Sequence, residues 1–173
     1  IVDTNLKTSD VKKGSSICCN GVCLTVVTKQ KSKKFLRLFF DVSDETVNCS
    51  NFNKIKVGDH LNIEKSLRVG DEISGHFVFG HVDATIPLLA VKKVGDSHEI
   101  TLKVTRKINK FITRKGSISL NGVSLTINSV KNGLISLNII PYTWNETNLH
   151  KLKIGDRINV EVDMLARYVT QNR

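Results

Sequence analysis

Along much of the chain apolar and polar residues alternate with a period of two. The clearest runs are Phe35-Leu36-Arg37-Leu38-Phe39-Phe40-Asp41-Val42 and Arg157-Ile158-Asn159-Val160-Glu161-Val162. Alternation of this kind predicts strands with one buried face. Turn chemistry falls between such runs: Val94-Gly95-Asp96-Ser97 and Lys131-Asn132-Gly133 are hairpin signals, and Asn20-Gly21 and Asn121-Gly122 also separate β-like stretches. Two segments read as helix, a short one around Ile108-Asn109-Lys110-Phe111-Ile112 and a terminal one from Met164. About six short strands per unit with few helices point to a small closed barrel, because closure removes exposed strand edges.

The pattern occurs twice. Asn20-Gly21-Val22-Cys23-Leu24-Thr25-Val26 returns as Asn121-Gly122-Val123-Ser124-Leu125-Thr126-Ile127, and Gly14 upstream is matched to Gly116. Thr46-Val47-Asn48-Cys49-Ser50-Asn51-Phe52 returns as Thr143-Trp144-Asn145-Glu146-Thr147-Asn148-Leu149. Lys54-Ile55-Lys56-Val57-Gly58-Asp59-His60-Leu61-Asn62-Ile63-Glu64 is answered by Lys151-Leu152-Lys153-Ile154-Gly155-Asp156-Arg157-Ile158-Asn159-Val160-Glu161. Three blocks in order, at offsets of 101, 97 and 97 residues, define an internal repeat. The reading is all-β: a tandem repeat of two homologous six-stranded Greek-key closed barrels plus a C-terminal helix. Residues 1–73 form the first barrel, 74–162 the second and 163–173 the helix. The second unit has about forty residues before Gly116 and the first has thirteen before Gly14. Roughly thirty residues of the first unit, its opening hairpin, are therefore expected to be missing.

Composition adds limits. Of 173 residues 40% are hydrophobic and 24% charged, a globular balance. No apolar run reaches membrane-spanning length and no signal-peptide pattern opens the chain, so a soluble cytoplasmic protein with no membrane partner is expected. The net charge of +10 raises nucleic acid as a partner. However, the basic residues are dispersed, and the densest group, Lys29, Lys31, Lys33 and Lys34, sits at a hairpin turn without interleaved aromatics. A solvated basic face accounts for it, and no nucleic-acid partner is expected. Cys18, Cys19, Cys23 and Cys49 form no C-x-x-C and have no histidine near them in sequence, so reduced thiols are expected rather than a metal site.

Three features taken together are specific: the duplicated N-G-V-x-L-T block, the single stretch Ser74-Gly75-His76-Phe77-Val78-Phe79-Gly80-His81-Val82-Asp83, and the Val57-Gly58-Asp59 and Ile154-Gly155-Asp156 blocks that each lead to N-x-E. In these the chain resembles the riboflavin synthase family, also called the lumazine-binding family, over essentially its whole length. The resemblance implies a homotrimer with active sites between the first barrel of one subunit and the second barrel of its neighbour. It implies a dismutation in which two molecules of 6,7-dimethyl-8-ribityllumazine per site exchange a four-carbon unit. The products are riboflavin and a ribitylaminopyrimidinedione; no metal or other cofactor is needed, and lumazine synthase is a further partner. The family's opening Met-Phe-Thr-Gly, part of the first pocket, is absent from this sequence. Two similar pockets suit a reaction that joins two copies of one substrate, since holding the pair makes the encounter intramolecular.

The resemblance assigns catalytic work to His81, Cys23, Ser124, Thr126, Asp163 and Ser16. His81 has the near-neutral pKa suited to moving a proton from an acidic lumazine methyl group, whereas His76 is read as structural. Ser124 and Thr126 share one strand face and Leu125 takes the other; Cys23, Thr25 and Leu24 repeat this arrangement. The Cys23-for-Ser124 difference predicts unequal pockets. Asp163 suits both a base and a helix N-cap before Met164. Substrate contacts are implied along Cys23-Leu24-Thr25, Gly80-His81-Val82 and Ser124-Leu125-Thr126, and at Lys115. Two strand-to-turn segments, Asp41-Val42-Ser43-Asp44-Glu45-Thr46 and Asn138-Ile139-Ile140-Pro141-Tyr142-Thr143, are expected to pair through their backbones with a pyrimidinedione edge.

Overall fold

A computed structural model describes residues 1–171; positions 172 and 173 of the expected terminal helix lie outside the described residues. The first repeat holds β1 (Val2–Thr4), β2 (Ser16–Cys19), β3 (Val22–Lys31), β4 (Leu36–Phe40), the short helix α1 (Asp44–Cys49) and β5 (Ile63–Lys65). The second holds β6 (Ala84–Val94), β7 (Ser97–Lys103), α2 (Arg106–Asn109), β8 (Ser117–Leu120), β9 (Val123–Lys131), β10 (Leu134–Ile139), α3 (Pro141–Glu146), β11 (Arg157–Val162) and α4 (Met164–Gln171). Both expected helices are present.

The second repeat is a closed barrel in the order β10-β7-β6-β11-β8-β9, antiparallel throughout. The first is a five-stranded sheet in the order β1-β4-β3-β2-β5. The two orders superimpose if β1, β2, β3, β4 and β5 stand for β7, β8, β9, β10 and β11. Among the described residues the first repeat shows no counterpart of β6, the strand that joins β7 to β11 in the second. Because β1 matches the end of β7, the gap is the first strand of the opening hairpin and part of the second.

Strand alternation builds each core. In β3 the residues Val22, Leu24 and Val26 point inward, joining Ile17, Cys19, Leu36, Leu38 and Val11. In the second repeat Ile86, Leu88, Ile100, Leu102, Ile118, Leu120, Ile127, Ile135, Leu137, Ile158 and Val160 fill the barrel. Each such side chain contributes about 1.5–3 kcal/mol by leaving water. The Asn20-Gly21 and Asn121-Gly122 turns all lie at positive φ (49°, 78°, 48°, 84°), which fits the twist of a two-residue hairpin.

Those two turns meet at a pseudo-two-fold axis between the repeats. A Cβ on Gly21 would lie 2.7 Å from the Gly122 nitrogen. Around the contact six asparagines pair crosswise. The Asn51 N–H donates to Asn159 Oδ1 at 2.6 Å, and its repeat mate Asn148 donates to Asn62 Oδ1 at 2.8 Å. Asn159 Nδ2 reaches the Asn20 carbonyl and Asn62 Nδ2 the Asn121 carbonyl, at 2.8 and 3.0 Å. Satisfied buried amides of this kind specify one arrangement, because any shift strands several donors at once. The two barrels are thereby held in register.

One repeat correspondence differs from the sequence reading. The Gly14 N–H bonds the Val26 carbonyl and the Lys115 N–H bonds the Ile127 carbonyl, both at 2.8 Å. The structural partner of Gly14 is therefore Lys115 rather than Gly116. Both take a left-handed φ, 84° and 67°. Glycine reaches that region freely and lysine does so at a cost of about 1–2 kcal/mol.

Candidate active site

The site forms where the stretch between β5 and β6 crosses both hairpins. Gly75 and Gly80 make the crossing possible: a Cβ on Gly75 would lie 2.3 Å from Ser124 Oγ, and one on Gly80 2.6 Å from the Cys23 backbone nitrogen. The two Gly-His steps of this stretch thus press on equivalent residues of the two repeats. The Gly80 carbonyl accepts the Cys23 N–H at 2.9 Å. The far end of the crossing is tied down by Asp83, which accepts the Val162 N–H at 2.9 Å and pairs with Arg167 of α4 at 2.7 Å.

Under the crossing lies a row fixed by strand register. Glu161 pairs with Ser119, and Ser119 with Ser124; in the first repeat Glu64 pairs with Cys18, and Cys18 with Cys23. The Glu161 carboxylate is buried and accepts three backbone N–H bonds, from Phe79 at 2.7 Å, Gly80 at 2.8 Å and His81 at 3.0 Å. It is the anchor of the Phe79–His81 turn. Glu64 has no such partners among the described residues, and burial raises its pKa. Ser119 Oγ is buried without a partner.

His76, read from the sequence as structural, joins this constellation. Its Nδ1 lies 2.7 Å from Ser124 Oγ, and its Nε2 is buried without a partner. Burial lowers its pKa, and the nearby Asp163 and Glu161 carboxylates oppose that shift. A neutral imidazole against a serine hydroxyl can take or return a proton. His76 could not be assigned from sequence parity, because the crossing is not a strand and side-chain alternation does not apply to it. Glu161 was legible as one of the duplicated N-x-E blocks, but its N–H partners were not.

The remaining predicted residues fall into distinct places. His81 is exposed, its ring stacked with Phe79 at 6.2 Å, and Phe79 with Phe77 at 6.4 Å. Cys23, Thr25 and Thr126 are exposed on outward faces, with Ser124 half-buried beside them. Ser16 is the cross-strand neighbour of Thr25. Asp163 Oδ1 accepts the Leu165 N–H at 2.9 Å and so caps α4. Lys115 is exposed, and Val82 packs against the first core. Leu24, 7% exposed, and Ile139, fully buried, are core residues, and Leu125 packs against the second core. Strand alternation turns these three side chains away from the outward face.

The two ring-lining segments need a correction. Beyond Ser43 and Ile140 they are helical, in α1 and α3. Ser43 Oγ accepts the Thr46 N–H at 3.2 Å, and Pro141 stands at the start of α3. A serine N-cap and a proline with fixed φ both start a helix. Asp41, Val42, Asp44, Glu45, Ile140 and Tyr142 are exposed there, as is Asn138 at the end of β10. Thr46 and Thr143 are half-buried on the helices. A groove of about 490 Å³ lies elsewhere, on the pseudo-two-fold axis between Lys54, His60, Lys151 and Arg157.

One closed barrel and one five-stranded sheet of matching strand order, joined by a crossing that presses on equivalent residues of each, define a duplicated all-β protein, and the comparisons with known proteins supply the family. The lumazine binding domain model matches residues 1–66 and again 79–163, and the chain belongs to that family. Its curated relatives include the riboflavin synthase of Photobacterium phosphoreum, 40% identical over 95% of this chain and 73% of the relative. The riboflavin synthase of Brucella abortus is 35% identical over 98% of this chain and 85% of its own. Among solved structures, LumP complexed with riboflavin aligns with a TM-score of 0.79 at 26% identity, over 89% of this chain and 81% of that one. LumP complexed with 6,7-dimethyl-8-(1'-D-ribityl) lumazine gives 0.76 at 25%, over 89% and 80%. Among the described residues no helix is long and apolar enough to cross a membrane.

Proposed function

We propose that this chain is a riboflavin synthase that dismutates 6,7-dimethyl-8-ribityllumazine. A four-carbon unit passes from one lumazine to the other, giving riboflavin and 5-amino-6-ribitylaminouracil. The observation that carries the reading is the crossing that sets Gly75-His76 on Ser124 and Gly80-His81 on Cys23, one pocket residue from each repeat. Support also comes from the curated synthases, which at 35–40% identity stand nearer to this chain than LumP does at 25–26%. A carrier on the same fold is therefore the weaker reading.

In this mechanism the Ser124–His76 pair, with Asp163 beside it, withdraws the proton from the acidic methyl group of the lumazine in the second pocket. Neutral His76 accepts that proton through Ser124. Cys23 and His81 face the lumazine of the first pocket, with Ser16, Thr25, Thr126 and Lys115 at the rims. Backbone groups at 41–46 and 138–143 recognise the ring edges. The first pocket of one subunit faces the second of its neighbour in a cytoplasmic homotrimer, and lumazine synthase supplies the substrate.

The test is incubation of the protein with 6,7-dimethyl-8-ribityllumazine alone, followed by visible absorption. One riboflavin formed per two lumazines consumed is the expected result, with His76→Ala reducing the rate about a hundredfold or more. Binding without turnover would leave the carrier reading standing.

A further inference from the structure

The mechanism leaves Cys18 unused, and its position gives it a second chemistry. The Asn20-Gly21 turn is a two-residue hairpin, so its flanking pair Cys19 and Val22 is hydrogen-bonded. The next pair out, Cys18 and Cys23, is then the non-hydrogen-bonded kind, in which Cα atoms approach to about 4.5 Å. The Cys23 N–H confirms this by pointing away from β2 to the Gly80 carbonyl at 2.9 Å. A Cα separation of about 4.5 Å falls within the disulfide range. Alternation puts both thiols on the outward face, while Cys19 points into the core and Cys49 sits on α1, 3.7 Å from Glu45.

We propose that Cys18 and Cys23 are a peroxide-oxidised thiol pair, a modification site of the first repeat that the second repeat does not have. The exposed Cys23 thiolate attacks a hydroperoxide, breaking the O–O bond and becoming a sulfenic acid as the alcohol or water leaves. Cys18 sulfur then attacks the Cys23 sulfur, the S–S bond forms, and the hydroxyl departs with the Cys18 proton as water. Two thiols are oxidised and one peroxide is reduced. Cys23 is exposed and Cys18 is not, so Cys23 meets the oxidant first and Cys18, its cross-strand neighbour, resolves the sulfenic acid.

The second repeat supplies the contrast. The same cross-strand positions hold Ser119 and Ser124, which cannot be joined this way. Only four residues separate Cys18 from Cys23, so closing the loop removes little chain entropy and adds little stability. A short-loop disulfide with the exposed Cys23 at one end is open to reduction, which suits a reversible modification. Its effect on turnover, the withdrawal of the Cys23 thiol from the first pocket, rests on the proposed synthase reading; the pairing itself does not.

The experiment treats the full chain with one equivalent of hydrogen peroxide. It measures the mass of the tryptic peptide Gly14–Lys29, and riboflavin formation before and after dithiothreitol. The expected result is a peptide lighter by two hydrogens and a loss of activity of about tenfold or more, restored by the reductant. Cys18→Ser, which copies the serine at position 119, should keep its reduced activity, form no disulfide, and gain oxygen on Cys23 instead. Loss of two hydrogens persisting in Cys18→Ser, no such loss in the parent chain, or full activity of the disulfide form would each overturn the proposal. If the reduced protein makes no riboflavin, the synthase reading falls while the peptide masses still decide the pairing.

Discussion

The two repeats place the same backbone under different side chains. Where the first has Gly14, Glu64, Cys18 and Cys23, the second has Lys115, Glu161, Ser119 and Ser124. The second row is bound up with the crossing: Glu161 holds three of its N–H groups and Ser124 bonds His76. Among the described residues the first row bonds the crossing through the Cys23 N–H and the Gly80 carbonyl. Duplication therefore supplied two copies of one frame, and substitution gave one a serine bonded to His76 and the other a pair of cross-strand thiols. A reaction between two copies of one molecule needs that inequality, since one copy must give and the other receive.

The comparison breaks most visibly at the paired glutamates. Glu161→Ala leaves three N–H groups without their acceptor, that of Gly80 buried and the other two partly so, and should cost about 3 kcal/mol, together with activity. Glu64→Ala, with no such donors, should cost under about 1 kcal/mol. Urea unfolding of both variants measures the difference, and equal losses would mean that Glu161 does not anchor the crossing.

The crossing glycines give the next effect. Gly80→Ala drives a Cβ against the Cys23 main chain, and a loss of about 2 kcal/mol is expected along with turnover. Gly75→Ala meets the Ser124 side chain instead. It should lower riboflavin formation while costing less stability, because a rotamer can change where a backbone cannot. A Gly75→Ala enzyme of full activity would remove Ser124 and His76 from the reaction.

Smaller again is the exchange at the left-handed corner. Lys115→Gly should gain about 1 kcal/mol in thermal or urea unfolding by relieving a φ of 67°. If Lys115 contacts substrate as proposed, the same change should also slow riboflavin formation. Stability gained without any loss of rate would make Lys115 an ordinary solvated side chain.

Much of this architecture was legible in the chain itself. Period-two alternation fixed the strands, Asn-Gly fixed the hairpins, and block repetition fixed the two units. The one-residue error at Gly14 arose because glycine was matched to glycine. The structure matches conformation, and Lys115 adopts there the backbone a glycine usually supplies. The helical turns at 44–46 and 141–143 were read as loops because each helix has only six residues, too few for a 3.6-residue period to emerge. The partners of His76 and Glu161 stayed hidden for a different reason: they are 48 and about 80 residues away, and only the folded crossing brings them together.

The finest contrast between the repeats is in their titration. Burial lowers the His76 pKa below its ordinary 6.5. Between that folded value and 6.5 the unfolded chain binds the extra proton, so stability rises with pH across this window and is level above it. Burial raises the Glu64 pKa above its ordinary 4.5. From 4.5 up to the folded value the folded chain holds the extra proton, so stability falls as pH rises, and the penalty persists to neutral pH. Glu64 is exposed to solvent screening, so Glu64→Gln should gain only a few tenths of a kcal/mol at pH 7. Glu161→Gln should lose stability there, because its charge is held by three N–H groups. His76→Gln should flatten the slope just below pH 6.5. Urea midpoints taken from pH 4 to pH 8 measure all three. If Glu64→Gln destabilised the protein at neutral pH, its carboxylate would be an engaged counterpart of Glu161, and the two rows would be alike at their glutamates.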